Sequence, residues 1–415
     1  MSLKILPNNP IARATIQTSF VLGVRLLIQA GTLLVVARML GPVEFGAFAG
    51  IAALAVLLGT FSTFGTHLVL LGEMSKDPHQ REHILSYAVP TTLIGGSLLF
   101  VLYLGICELI FADILLPLSI LVCIGITEII LLPLYVLPTM ESLALGKTAR
   151  SQLITIFPLG LRMLVAVGIL IFTPTEPLLI FASLYMAMAL LALALMKWKK
   201  SSAWLSVKQW RIATRAELKH SAGYAALAMT AAGPSEVDKM LAVKLLPMGV
   251  TGVYIAASRV IGAATLPIIA LLLSAMPRLF RIGDDTPKQS KQLTLWVFGA
   301  VFIYSMCLVG VLWLAAPIFE WLLGVQYVGV ADMLAWLCFA VPALALRYST
   351  GSILITMNRP WLRAGFEIVG VLILFIAANL LIPQMGAYGM PIALACSEWV
   401  MAIAGGIIVF NVNTK

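Results

Sequence analysis

KWKKSSAWLSVKQWRIATRAELKH, residues Lys197 to His220, is the stretch on which the reading of the fold turns. It is the longest connection between apolar stretches, and it holds seven Lys or Arg together with Trp198, Trp204 and Trp210. Ahead of it lie apolar stretches at 15–37, 45–71, 84–106, 114–137, 153–172 and 178–196. Behind it lie 221–246, 253–276, 293–316, 333–355, 366–382 and 390–410. Each is close to or above the roughly 20 residues a helix needs to cross the hydrocarbon of a bilayer. With 61% hydrophobic and 11% charged residues, the chain has too much apolar surface for a water-soluble core, so the bilayer is its solvent. The expected fold is all-α, a polytopic membrane protein of about 12 transmembrane helices in two six-helix lobes, residues 1–196 and 221–415. The basic linker 197–220 joins them on the cytoplasmic side, its tryptophans suited to the head-group level and its bases to the inner leaflet.

The remaining bases sort by side once the chain is started inside and allowed to alternate. Lys4, Arg13, Lys76, Arg81, Lys147, Arg150, the seven linker bases, Arg278, Arg281, Lys288, Lys291, Arg359, Arg363 and Lys415 fall inside, 20 of the 27. Only Arg38 and Lys244 fall in outer connections, which otherwise carry acids such as Glu44, Glu108, Asp113, Glu176 and Glu320. Basic loops resist translocation, so this asymmetry puts both termini of a multi-pass protein in the cytoplasm. The first apolar run is too long for the core of a cleaved signal and holds Arg25 and Gln29, so it reads as a retained anchor.

Other classes fall away. The net charge of +9 is spread over short inner loops as an orientation signal and does not indicate nucleic acid. Cys107, Cys123, Cys307, Cys338 and Cys396 stand singly in or at the ends of apolar runs, and the four histidines (His67, His79, His83, His220) show no metal-ligand spacing. No metal site and no disulfide framework are expected. Spans of this length exclude a porin-type barrel. No outer connection is long enough to build a catalytic constellation, so the chain is not read as an enzyme.

The halves share a local pattern. Leu40-Gly41-Pro42-Val43-Glu44-Phe45-Gly46-Ala47-Phe48 is echoed by Leu246-Pro247-Met248-Gly249-Val250-Thr251-Gly252-Val253-Tyr254, with Leu40, Gly46 and Phe48 matching Leu246, Gly252 and Tyr254 at one offset. Gly146-Lys147 with Arg150 is echoed by Asn358-Arg359 with Arg363. Two echoes in order argue for duplication, and six spans per half give repeats of the same orientation, related by an axis along the membrane normal. Pro90, Pro133, Pro158, Gly233-Pro234, Pro267 and Pro342 interrupt spans, and the backbone bonds they remove have to be made good by neighbours.

Five bases lie within spans: Arg25, Arg162, Lys239, Arg259 and Arg347. A base at mid-bilayer costs roughly 2.5–3.5 kcal/mol, so five facing lipid would cost on the order of 12–17 kcal/mol, as much as a domain's whole stability. They have to snorkel, pair or line a wet cavity. Glu236 and Asp238 beside Lys239 form a local cluster, suited either to a structural ion pair or to coupling with H+ or Na+, and Glu128 is a further acid. Set against these three acids, the five bases leave an excess of two positive charges. A planar guanidinium grips phosphate with two parallel hydrogen bonds, so Arg25, Arg162, Arg259 and Arg347 are the candidate substrate-binding residues of a cationic cavity for a phosphate-bearing substrate. Buried ion pairs and loop-end snorkelling are the structural alternative.

Several stretches carry a family resemblance. Ala37-Arg38-Met39-Leu40-Gly41-Pro42-Val43-Glu44-Phe45-Gly46, Val237-Asp238-Lys239-Met240, Gly249-Val250-Thr251-Gly252-Val253-Tyr254, Pro277 and Pro383-Gln384-Met385-Gly386-Ala387-Tyr388-Gly389 occur in the order found in polysaccharide transporters. In this the chain resembles the O-antigen flippase branch of the multidrug/oligosaccharidyl-lipid/polysaccharide flippase superfamily. The resemblance implies a V-shaped protein of two six-helix lobes in the bacterial cytoplasmic (inner) membrane. It implies movement of a polyprenyl-diphosphate-linked oligosaccharide, an O-antigen or exopolysaccharide repeat unit, to the outer leaflet by alternating access, often with a coupling ion. Membrane lipids and glycan polymerase machinery are the partners it implies, and no cofactor. A drug/cation antiporter of the multidrug and toxin extrusion type shares the fold and stays open, as does a membrane-embedded glycan-modifying enzyme.

Overall fold

The computed structural model describes residues 10–111, 116–198, 207–269, 271–272, 287–357 and 359–412, and every regular element among them is helical. Trp204, Pro277, Asp113, Asn358 and the bases Lys4, Lys199, Lys200, Arg278, Arg281 and Lys415 lie outside the described residues. Helix α1 (Pro10–Ser62) runs for 53 residues. At 1.5 Å per residue that is roughly 80 Å, more than twice the hydrocarbon thickness, so it holds two crossings. They meet at Gly41, whose φ of 70° suits glycine, followed by Pro42, which has no N–H to continue the ladder. The second crossing breaks again at residues 63–65, where Phe64 and Gly65 have φ of 48° and 76°, and continues as α2 (Thr66–Lys76).

The chain continues through α3 (Arg81–Ile110), α4 (Leu118–Gly125), a π-helical turn (Ile126–Leu131), α5 (Leu132–Ala144), α6 (Thr148–Phe172) and α7 (Pro177–Trp198). After the linker come α8 (Arg215–Leu245), α9 (Met248–Ala264), α10 (Pro287–Leu323), α11 (Val330–Leu337), α12 (Val341–Thr356), α13 (Pro360–Met385) and α14 (Gly389–Val412). Nine helical stretches among the described residues are long and apolar enough to cross a membrane. Two of these, of 40 and 51 residues, have the length of two crossings each, the second broken at Gly386 (φ 59°). Helix α8, less apolar along its length, is not in that set, although it is long enough to cross; with it the dozen expected crossings are accounted for.

Proline sites explain several local departures. Pro90 leaves the Ser86 carbonyl without its helical donor, and the backbone N–H of Arg211 from the linker takes that place at 2.9 Å. Pro342 does the same to the Cys338 carbonyl, which accepts from Val341 N–H in a tighter 3-10 turn. The π-turn stands just ahead of Pro133, where a Leu132 N–H to Thr127 carbonyl bond widens the helix.

By packing, the described chain falls into two compact units, one of residues 1–39 and 55–228, the other of residues 40–54 and 229–415. The first has a core of Leu70, Met74, Leu85, Tyr87, Val89 and Leu137, against which the linker's Trp210 and Ala213 pack. The linker ends in a capping box. Glu217 accepts from Thr214 N–H at 2.7 Å, while its own N–H donates to Thr214 Oγ1 at 3.4 Å. Both Glu217 oxygens also accept from Arg211, at 2.9 and 2.5 Å. The Arg211 guanidinium holds the Glu217 carboxyl down at about 2, against the opposing effect of burial, with Thr214 adding to the lowering. A depressed carboxylate contributes its stability in full above its unfolded pKa and loses it only as pH falls towards 2, so this latch stays closed at physiological pH.

In the second unit Ile353, Leu354, Phe366, Met401 and Val409 form one core and Ile268, Leu272, Val297, Val301 and Ala345 another. The two echoed turns meet here. A Cβ on Gly46 would lie 2.7 Å from Met248 O and 2.8 Å from Gly252 N, and a Cβ on Gly252 would fall on Pro42 O. Because Pro42 and Met248 occupy matching positions in the echo, the contact is reciprocal, as at a local two-fold axis. Gly252→Ala is expected to lower thermal stability by about 3 kcal/mol or more, since the obstacle is backbone. Gly249→Ala, with only Val43 Cγ2 at 3.9 Å, is the matched control and should be near neutral in the same melting experiment.

Candidate functional site

In the first unit α1 carries Arg25, α6 carries Gln152 and Arg162, α7 carries Phe181 and Tyr185, and the π-turn carries Glu128. Arg25 Nη1 donates to Gln152 Oε1 at 2.8 Å, and Arg25 Nε, though buried, makes no hydrogen bond. Phe181 and Tyr185 stand four residues apart on one helical face with their rings stacked at 6.1 Å. The Arg162 guanidinium lies over this shelf, 4.6 Å from the Tyr185 ring centre and 5.7 Å from that of Phe181. The Tyr185 hydroxyl donates to Glu128 Oε1 at 2.8 Å. The wider turn brings the Glu128 carbonyl against Gly59, where no side chain would fit. Arg25 thus meets a neutral amide on α6, while Arg162, ten residues further along the same helix, lies on the aromatic shelf that also holds Glu128 through Tyr185.

The second unit is arranged differently. Lys239 Nζ donates to Asp238 Oδ1 at 3.1 Å and to the Ser235 carbonyl, and stands 3.9 Å from Glu236. Tyr254 of α9 donates its hydroxyl to Asp238 Oδ2 at 2.8 Å, and Arg259 reaches Glu236 at 3.9 Å with 39% of its side chain exposed. Arg347 of α12 is 1% exposed and donates through Nε to Glu398 of α14 at 2.6 Å. Its Nη1 lies 3.7 Å from Glu367 of α13, which also accepts from Arg363 Nε at 3.0 Å. Buried Arg347 Nη1 and Nη2, Glu367 Oε2 and Glu398 Oε1 make no hydrogen bond. A cavity of about 70 Å³, enough for ordered water, is lined by Ser235, Asp238, Lys239, Ser258, Tyr348 and Glu398 among others.

These contacts correct the charge count drawn from sequence. Glu367 and Glu398 lie within the apolar stretches 366–382 and 390–410 and belong in it, so five bases in the spans face five acids and the expected excess of two disappears. With Arg363 added at the edge, the second unit holds four bases and four acids in two clusters, Lys239 and Arg259 with Glu236 and Asp238, and Arg347 and Arg363 with Glu367 and Glu398. Of the four arginines grouped from sequence, Arg25 and Arg162 fall in the first unit, Arg259 and Arg347 in the second. Arg347 faces carboxylates and is not among the residues lining the cavity. Glu367 and Glu398 were legible by the rule that singled out the five bases, a charge inside an apolar run. Among the described residues no group of three or more His, Cys, Asp or Glu could hold a metal ion.

No protein-family model and no curated protein sequence matches the chain. Solved structures do. A multidrug resistance MATE family transporter of the MOP superfamily in an inward-facing conformation aligns with a TM-score of 0.75 at 15% identity, covering 94% of each chain. An outward-facing structure of such a transporter aligns with a TM-score of 0.67 at 16% identity, over 97% of this chain and 95% of that one. A MOP superfamily transporter from Pyrococcus furiosus, whose binding pocket of reverse polarity suggests a different function, aligns at 0.68 and 15% over 97% and 95%. At these identities the likeness is one of fold, and the chain has the all-helical, multi-pass fold of MATE transporters.

Proposed function

We propose that this chain is a transporter that moves a polyprenyl-diphosphate-linked oligosaccharide from the cytoplasmic to the outer leaflet of a bacterial cytoplasmic membrane by alternating access. Arg25 and Arg162 of the first unit are its anion grip. The observation that carries this reading is the unequal charge of the two units. In the second, four bases meet four acids, whereas in the spans of the first two arginines stand against one carboxylate, Glu128, and the side chain that Arg25 meets is the neutral Gln152. A guanidinium such as Arg25's, bonded to a neutral amide, keeps its charge available for phosphate. That a neighbour of the same fold has a pocket of reverse polarity supports a cargo other than a cation. Inside-negative potential assists the direction, contributing at most about 2.3 kcal/mol per negative charge per 100 mV. Arg347 holds its network together, and Asp238 with Lys239 and Glu128 are the carriers a coupling H+ or Na+ would use. Glycan polymerase machinery would take the product on the outer face.

One observation favours a second reading, export of organic cations by antiport: Glu128, Glu236, Asp238, Glu367 and Glu398 all lie on crossing helices, and neighbours of this fold are multidrug transporters. A strain deleted for this chain should accumulate lipid-linked oligosaccharide in the inner leaflet and lose surface glycan, with ethidium efflux unaltered. Loss of ethidium efflux with normal surface glycan would replace the first reading by the second.

A further inference from the structure

The end of the basic linker lies at a defined depth. Arg211 N–H bonds to the carbonyl of Ser86, two residues past the start of the third apolar stretch, and Trp210 packs on the core of the first unit beneath it. The Arg211 guanidinium stacks over the Tyr87 ring at 4.9 Å and is locked to Glu217. The segment is therefore fixed where α3 enters the hydrocarbon, with Trp210 and Ala213 turned to the core and other side chains turned outward. Val207 and Ile212 are 69% and 80% exposed, and Lys208, Arg215 and Lys219 are exposed beside them in sequence. None of these three bases is ion-paired with an acid among the described residues, because the nearby Glu217 serves Arg211. Aliphatic groups at this depth meet the boundary between acyl chains and head groups, and unpaired bases there meet lipid phosphates.

We infer that residues 207–219 form a binding surface for anionic phospholipid head groups of the inner leaflet. Val207 and Ile212 enter the boundary, and Lys208, Arg215 and Lys219 engage the phosphates. The pairing of charge decides the occupant: a row of unpaired bases around two aliphatic side chains fits an anionic lipid surface and repels another basic copy of the same face. A base near such a surface contributes about a fivefold preference, so three contribute on the order of a hundredfold at low salt.

The test uses the full chain in nanodiscs of phosphatidylcholine mixed with phosphatidylglycerol, with retained lipid counted by native mass spectrometry. The parent protein is expected to enrich phosphatidylglycerol, and the variant carrying Lys208→Gln, Arg215→Gln and Lys219→Gln to lose most of that enrichment, while Lys147→Gln, an exposed base elsewhere, keeps it. Ile212→Glu, a change at an exposed position that leaves the fold alone, should also reduce it, and decides the matter if the triple variant does not purify. Unchanged enrichment in the variant that purifies overturns the inference. So does cross-linking of two copies through Lys208 in the absence of enrichment, which would assign the surface to a protein contact.

Discussion

Arg25→Ala is expected to weaken binding of a polyprenyl diphosphate to the purified protein by about 10- to 100-fold, because one charge-assisted grip of roughly 1.5–3 kcal/mol is removed. Melting temperature should hardly move, since the hydrogen bond that is lost runs to Gln152, a neutral side chain that can turn to other partners. Arg25→Lys keeps the charge but not the planar fork and should fall between the two. The measurement is a titration of the diphosphate lipid in detergent, read beside surface-glycan export in cells. Parent-like affinity and export in Arg25→Ala, with Arg162→Ala also silent, would remove the anion grip from the first unit.

Arg347→Ala should act through stability. Among the described residues it takes the only hydrogen-bonding cation from Glu398, and it leaves both Glu398 and part of Glu367 uncompensated while each is 1% exposed. Breaking one side of a buried pair costs about 3–5 kcal/mol, enough to take most of a domain's margin. Replacing both partners is far gentler, so Arg347→Met combined with Glu398→Gln should recover most of the loss, with Arg363 still holding Glu367. Thermal melting of the single and double variants decides this. A single variant as stable as the parent would mean that the network does not hold α12, α13 and α14 together, and would reopen Arg347 as a ligand-binding group.

Much of the architecture was legible because its causes are local. An apolar run long enough to cross dictates a helix wherever it occurs, and Gly41-Pro42 dictates where α1 has to bend. Pro90 announced that a carbonyl would be orphaned, but which donor would fill it is a tertiary fact, and the linker's Arg211 N–H could not be read from sequence. The break at Phe64 gave little signal beyond the neighbouring Gly65, whose backbone lies too close to Ser221 and Ala225 for a side chain. At the site, the residue types in the spans were legible and their partners were not: Arg162 lies on an aromatic shelf and Arg347 among carboxylates, although both read alike as single arginines in apolar runs.

Helix α8 carries one further consequence, for how the protein is made. Glu236, Asp238 and Lys239 sit together on a segment that leaves the ribosome before α9 and α14, whose Tyr254 and Glu398 complete their surroundings. Even with Lys239 paired to acids of its own helix, the remaining acidic charge opposes insertion of a lone α8 by at most roughly 2.5–3.5 kcal/mol, which its flanking alanines do little to offset. This segment is therefore a poor candidate for one-at-a-time release into lipid. It has to wait at the translocon until later helices arrive to accompany it, so biogenesis of the C-terminal part is a concerted step.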